Sequence, residues 1–152
     1  MEQAVREFLH RLSVWMKTVD AYDKVVNDAL ACIGEVVVAE RSNDTEAFAK
    51  LKKRYRSLRR KMQTTAKKMH KAHEAAAMGA IDMPDENAAA AVFVLLTTPP
   101  EYMGLDDRIE EQTPESAERA IFVHEVYIGH VRIIAEKSAD IAGRKPPPGG
   151  EL

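Results

Sequence analysis

Cysteine is almost absent from this 152-residue chain, which contains only Cys32. A lone thiol cannot form a disulfide within the chain, and the apolar residues around Cys32 predict a small, buried, structural side chain. We therefore expect a reducing, cytoplasmic compartment. Long apolar runs are also missing, since no stretch approaches the roughly 20 consecutive apolar residues of a membrane-spanning helix. Residues 1–6 lack the layout of a signal peptide, so we expect neither a transmembrane segment nor secretion.

The common sequence signatures of enzymes are missing too. The chain has no glycine-rich phosphate loop, no pair of closely spaced cysteines and no glycine-flanked serine of the nucleophile-elbow type. These absences exclude the most recognisable nucleotide-binding, zinc-finger and hydrolase sites. We therefore expect a protein that is not an enzyme and that has no cofactor.

Acidic residues are absent between residues 47 and 73, although the whole chain carries 24 of them and has a net charge of −2. The same segment carries eleven Lys and Arg residues. Its apolar residues recur at alternating steps of three and four, which is the spacing of one face of an α-helix. The face comprises Phe48, Leu51, Tyr55, Leu58, Met62, Thr65, Met69, Ala72 and Ala76. Residues 47–73 are therefore predicted to form a basic helix with one apolar seam.

The N-terminal segment has the same rhythm over a longer stretch. A second apolar row runs beside its seam at Leu9, Met16, Leu30 and Val37, so the buried face is wide enough to touch at least two other helices. A polar run at residues 41–45 ends this helix and caps the next one. The two segments are therefore predicted to form a long antiparallel helical hairpin over about residues 2–78. The seam comprises Val5, Phe8, Leu12, Trp15, Val19, Tyr22, Val26, Ala29, Ile33 and Val36.

Two further helices are predicted after the hairpin, at about residues 85–98 and 114–141. Gly79 and Pro84 separate the first of them from the basic helix, and Thr113 with Pro114 marks the start of the second. The last helix is apolar over more than half of its circumference, so we expect it to be the central, most buried element. Residues 102–112 are predicted to be an acidic connector, and the proline-rich residues 144–152 a disordered tail.

These elements predict an all-α fold, an elongated antiparallel helical bundle built on the long hairpin. Residues 1–143 are expected to form a single domain, since the length fits one core. Two later helices of about 40 residues together cannot cover both long arms of the hairpin. The apolar surface that they leave open predicts self-association, most simply a homodimer.

A metal site is the one chemical constellation that the sequence offers. His70, His73 and Glu74 lie on the basic helix, and His124 lies on the last helix. Imidazoles with a carboxylate are ligands that zinc or iron would accept. Histidines in a basic helix, however, commonly extend its charge, and a histidine on an apolar face is commonly a hydrogen-bonded core residue. We therefore expect no metal site.

The cations of the basic helix allow two interpretations. They surround the apolar seam, so acids such as Asp20, Asp23, Asp28 and Glu35, or the acidic connector, could neutralise them within the fold, and we favour this interpretation. Alternatively they bind an external anion, and five are the candidate anion-binding residues. Tyr55 is the only aromatic residue among the cations, so contact with nucleic acid would be to phosphates and non-specific. The candidates are Lys53, Arg56, Arg60, Lys67 and Lys71.

The sequence thus leaves two functions open. The favoured one is a non-enzymatic scaffold or adaptor that acts through its helix surfaces and through self-association, with a protein partner that the sequence does not identify. The alternative is binding of an anionic polymer or surface through the basic helix 47–73. Nucleic-acid phosphates are the expected ligand in that case, ahead of anionic lipid.

Overall fold

A computed structural model describes residues 2–97 and 112–144 of the chain. These residues form four α-helices: α1 (Gln3–Arg41), α2 (Thr45–Ile81), α3 (Glu86–Thr97) and α4 (Pro114–Gly143). Helix accounts for 91% of the described residues, which include no strand. The predicted all-α fold with a long hairpin and two further helices is therefore confirmed. Nearly all of the predicted acidic connector and residues 145–152 of the predicted tail lie outside the described residues.

The turn between α1 and α2 is tight because two residues have special backbone roles. Asn43 adopts the left-handed conformation with a φ of 53°, which asparagine tolerates better than most residues. Asp44 is the N-cap of α2, and its Oδ1 accepts a hydrogen bond from the backbone N–H of Ala47 at 3.1 Å. The predicted position of this turn is thus correct.

Helix α2 continues past the boundary that the sequence predicts. Gly79 was expected to lie just past the end of the helix, but it lies inside it. A glycine is present there because α1 approaches α2 closely at this point. A Cβ atom at Gly79 would lie 3.1 Å from Cδ of Arg11, and Nη1 of Arg11 donates a hydrogen bond to the carbonyl oxygen of Ala75 at 3.1 Å. The glycine therefore provides room for an interhelical contact.

Helix α1 packs against α2 along one side and α4 along another, while α3 packs on α2 and α4. The expectation that the last helix is the most buried element is therefore wrong. Helix α1 supplies more of the core than any other helix, whereas α4 exposes several large apolar side chains, including 67% of Phe122. Part of the wide apolar surface of α4 faces outward.

The core consists of two clusters along the bundle. The lower cluster joins all four helices and includes Phe8, Trp15, Val92 and Val131. The upper cluster joins α1, α2 and the beginning of α4, with Tyr55 of α2 almost completely buried. Helix α3 thus closes only the lower part of the hairpin. Within the described part of the chain, no helix combines the length and the apolar content needed to cross a membrane.

Candidate anion-binding face on helix α2

The five candidate anion-binding residues lie on one side of α2, all of them exposed to solvent. At about 100° per residue they fall within an arc of roughly 60°, and the stripe runs for about 27 Å along the helix axis. This arc lies opposite the side that carries the buried Tyr55, Leu58 and Met62. The basic face, as we name it, comprises Lys53, Arg56, Arg60, Lys67 and Lys71.

Internal neutralisation reaches only part of the basic helix. Lys50 pairs with Glu46 at 3.4 Å, and Arg54 of α2 pairs with Glu35 of α1 at 3.6 Å. Lys52 and Arg59, which flank the seam and are partly buried, also have interaction partners. The five residues of the basic face are in a different situation, because none of them forms an ion pair with any residue in 2–97 or 112–144.

The acids that were expected to neutralise the basic helix are largely engaged elsewhere. Asp20 and Asp23 of α1 face α4, where both pair with Arg132 at 3.2 and 3.3 Å. Glu35 pairs with Arg54, which is not part of the basic face, and Asp28 forms no ion pair with the described residues. Among the described residues, the acids of α1 therefore leave the basic face electrostatically open.

A shallow groove of about 490 Å³ adjoins the basic face and is lined by Arg60, Lys61, Ser57, Thr64, Thr65 and Val25. The hydroxyl groups of Thr64 and Thr65 donate to the backbone carbonyls of Arg60 and Lys61 within the helix, at 3.1 and 2.8 Å. The ammonium of Lys61 and the guanidinium of Arg60 therefore provide the charged donors at this point. Such a groove can receive a phosphate group but offers no surface on which a base could stack.

The four candidate metal ligands do not form a common site. Nε2 of His70 pairs with Glu74 at 3.0 Å on the exposed surface. Nε2 of His73 lies 2.6 Å from the carbonyl oxygen of Leu96, and its ring lies 4.9 Å from the ring of Trp15. His124 contacts Asp23 instead. In the described part of the chain, no group of three or more His, Cys, Asp or Glu side chains is placed to hold a metal ion.

His124 belongs to a polar network between α1 and α4 that sequence reasoning did not identify. It is buried, and its Nε2 lies 2.7 Å from Oδ1 of Asp23. Arg132, two turns further along α4, donates to Oδ2 of the same aspartate at 3.3 Å. The sequence predicted a hydrogen-bonded core histidine, but its partner is 101 residues away and no local pattern connects the two.

A second exposed surface runs along α4 on the side opposite the core. We call it the outer seam, and its residues follow one another at steps of four, three and four, the spacing of a helix-packing seam. Phe122 is 67% exposed, Val126 54% and Ile133 50%. The seam comprises Phe122, Val126, Gly129 and Ile133.

The packing of the described helices leaves this surface of α4 uncovered. Large apolar side chains are also exposed on the hairpin, at Val14, Val38, Met78 and Ile81. No protein-family model, no curated protein sequence and no solved structure matches this chain.

Proposed function

We propose that this chain is a non-enzymatic helical protein that binds the phosphate backbone of a nucleic acid through the basic face of α2, within a reducing compartment of the cell. The observation that carries the proposal is the row of five exposed cations without an ion-pair partner among the described residues. An exposed row of unneutralised positive charge is the electrostatic footprint of a polyanion-binding surface.

Binding through this face would involve phosphates and not bases. The aromatic ring of Tyr55, the only one among the cations, is 2% exposed and belongs to the core. Five phosphate contacts predict that log affinity falls against log salt with a slope of roughly −4 to −5 on duplex DNA. Binding should therefore be non-specific in sequence and strong only at low or moderate salt.

The composition of the basic face favours a nucleic acid over a membrane. Helices that lie in a membrane interface bury an apolar face among the lipids. The apolar face of α2 already packs in the core through Tyr55, Leu58 and Met62, so a lipid surface could attract this helix only by charge. A rigid line of cations about 27 Å long is instead comparable with one turn of a nucleic-acid duplex, roughly 34 Å.

The test is fluorescence anisotropy with a labelled duplex over a series of salt concentrations, with anionic vesicles in parallel. The test variant replaces Lys53, Arg60 and Lys67 by glutamate. A control variant replaces three cations of α1, Arg6, Lys17 and Lys24, by glutamate as well. These cations are exposed and lie far from the basic face in the sequence. Both variants undergo the same change in net charge, so a general charge effect would weaken both equally.

We expect the test variant to lose most of its affinity and to show a flatter salt dependence, while the control retains most of its affinity. Equal losses in the two variants, or negligible binding by the parent protein at physiological salt, would overturn the proposal. If the test variant instead unfolds or changes its oligomeric state, the three cations neutralise acidic residues of the chain itself, such as those in residues 106–118. The polymer-binding proposal should then be dropped.

A second candidate function, a scaffold or adaptor acting through helix surfaces, is favoured by the outer seam of α4. Three large apolar side chains that are each at least half exposed on one helix face are unusual on a surface without a partner. This function predicts self-association or binding of another helix, and it does not need the basic face.

A further inference from the structure

The outer seam of α4 is patterned to pack against a copy of itself. We propose that a second copy of this chain docks on it, with the two α4 helices antiparallel and related by a two-fold axis. This inference rests on the second candidate function and is independent of nucleic-acid binding.

The spacing of the outer seam fixes the register of such a pair. Phe122 and Ile133 lie at equal distances in sequence from a midpoint between residues 127 and 128, and so do Val126 and Gly129. When two antiparallel copies share this midpoint, Phe122 meets Ile133 of the second copy, and Val126 meets Gly129 of the second copy. Each large side chain is thus placed opposite a smaller one, as close helix packing requires.

Gly129 makes room at the centre of this arrangement. A Cβ atom built there would have no heavy atom within 4 Å, so packing inside the monomer does not require a glycine at this position. Glycine in the middle of a helix is unfavourable in the absence of such a requirement. On a seam between two helices, however, it allows the backbones to approach closely and leaves space for Val126 of the second copy.

The charges beside the outer seam complement one another in the same register. Arg119 and Glu136 lie three residues beyond the two ends of the outer seam. Arg119 of each copy would meet Glu136 of the other, so the two-fold axis produces this pair twice. Both side chains are exposed, and neither forms an ion pair within the described residues. Glu125 would lie next to Arg132 of the second copy, which already binds Asp20 and Asp23 of its own chain. Attraction at the ends of the seam therefore favours the antiparallel pair.

A parallel pair would be disfavoured by the same residues. It would set Arg119 against Arg119 and Glu136 against Glu136, and like charges opposed across a helix pair are destabilising.

In the antiparallel pair, the next step outward brings Glu115 towards Asp140 of the second copy, so the contact is expected to end at Arg119 and Glu136. A single helix pair of about 27 Å forms a small interface, and we expect a weak dimer with a Kd on the order of micromolar.

Sedimentation equilibrium of the full chain over a hundredfold range of concentration would test the dimer. The parent protein should show a reversible monomer–dimer equilibrium. Val126→Glu should raise its Kd by at least about tenfold, since it places a charge at the centre of the contact. Val38→Glu is the matched control, because Val38 is 65% exposed on α1, away from the outer seam, and it should leave the Kd unchanged. A parent that stays monomeric, or equal effects of the two variants, would overturn the proposal.

A charge-exchange experiment tests the register and also covers the possibility that Val126→Glu disturbs the fold. Arg119→Glu alone and Glu136→Arg alone should each weaken the dimer, because each brings like charges together. The double variant Arg119→Glu/Glu136→Arg restores opposite charges and should return the Kd to near the parent value. A double variant as weak as the single variants would exclude the antiparallel register. Because nucleic-acid binding is measured separately, the failure of one proposal is distinguishable from the failure of the other.

Discussion

Nε2 of His124 on α4 lies 2.7 Å from Oδ1 of Asp23 on α1. The histidine side chain is 2% exposed and that of the aspartate 25% exposed, so the contact is largely shielded from water. Arg132 approaches the second oxygen of the same carboxylate at 3.3 Å. One carboxylate thus contacts Nε2 of a buried imidazole and a surface guanidinium, and it links α1 to α4 at two positions of α4.

Asp23→Asn should destabilise the protein more than Asp20→Asn, although both aspartates contact Arg132. Asp23 is the partner of a buried group, and weakening such a contact costs about 1–3 kcal/mol. Asp20 is exposed over 66% of its side chain, and an exposed ion pair contributes about 0–1 kcal/mol. Urea denaturation of the two variants at neutral pH would measure the difference. Equal destabilisation would mean that the contact with His124 contributes little.

The position of Asp23 illustrates what sequence patterns could and could not predict here. The steps of three and four that begin at Val5 and Phe48 predicted both arms of the hairpin, since each arm repeats the pattern many times. The ends of helices depend on tertiary contacts, as at Gly79, where the approach of Arg11 explains the glycine. The pattern also predicts that a helix face is apolar, but it does not say which of two apolar faces is buried. For this reason the prediction that α4 is the most buried helix was wrong.

The candidate site could be predicted only in part, for a similar reason. The positions of Lys53, Arg60 and Lys67 opposite the seam follow from helix geometry alone. Whether a cation finds an acid depends on the side of α1 that faces it, and Asp20 and Asp23 turn towards α4. Long-range pairing of this kind leaves no periodic signal in the sequence.

Trp15→Ala should strongly destabilise the fold. Trp15 is 3% exposed in the lower cluster, where its ring packs 4.9 Å from that of His73. Truncation of a buried tryptophan removes transfer free energy and leaves a cavity, at a cost of about 3–5 kcal/mol. Thermal denaturation followed by circular dichroism would measure the loss, with the exposed Val38→Ala as the control. A melting temperature within a degree or two of that of the parent would contradict this assignment of the core.

Leu58→Ala should destabilise the upper cluster, by about 2–5 kcal/mol. Leu58 is 8% exposed and packs in the part of the bundle that α3 does not reach. Amide hydrogen exchange should therefore show the largest loss of protection around residues 22–36 and 55–62, with a smaller loss near Val92. Uniform loss over the whole chain would show that the two clusters unfold as a single unit.

Cys32 should react slowly with iodoacetamide in the native protein. Burial raises the pKa of its thiol, an effect that Arg54 opposes and Glu35 reinforces, and Sγ donates a hydrogen bond to the carbonyl oxygen of Leu51 at 3.4 Å. A raised pKa leaves less of the reactive thiolate at neutral pH. Mass spectrometry should show slow alkylation in buffer and rapid alkylation in concentrated urea, whereas equal rates would contradict the buried assignment.

The same pKa shift affects stability in alkaline solution. The folded state holds the thiol proton more tightly than the unfolded state, so this contribution is complete below the unfolded pKa, about 8.5. It is then lost as the pH rises towards the folded pKa. The difference in unfolding free energy between the parent and Cys32→Ala should therefore be constant near neutral pH. In alkaline solution the parent should lose stability relative to Cys32→Ala.

Gly129→Ala and Gly34→Ala together separate helix propensity from packing in a dimer. A Cβ atom at either glycine would have no heavy atom within 4 Å, so each alanine should stabilise the monomer by about 0.5–1 kcal/mol. Thermal denaturation at low protein concentration should show this gain in both variants. The two variants should differ in sedimentation, because only Gly129 lies on the outer seam opposite Val126 of the second copy. We expect Gly129→Ala to weaken the dimer and Gly34→Ala to leave it unchanged. If both variants stabilise the monomer and neither alters association, the dimer contact lies elsewhere.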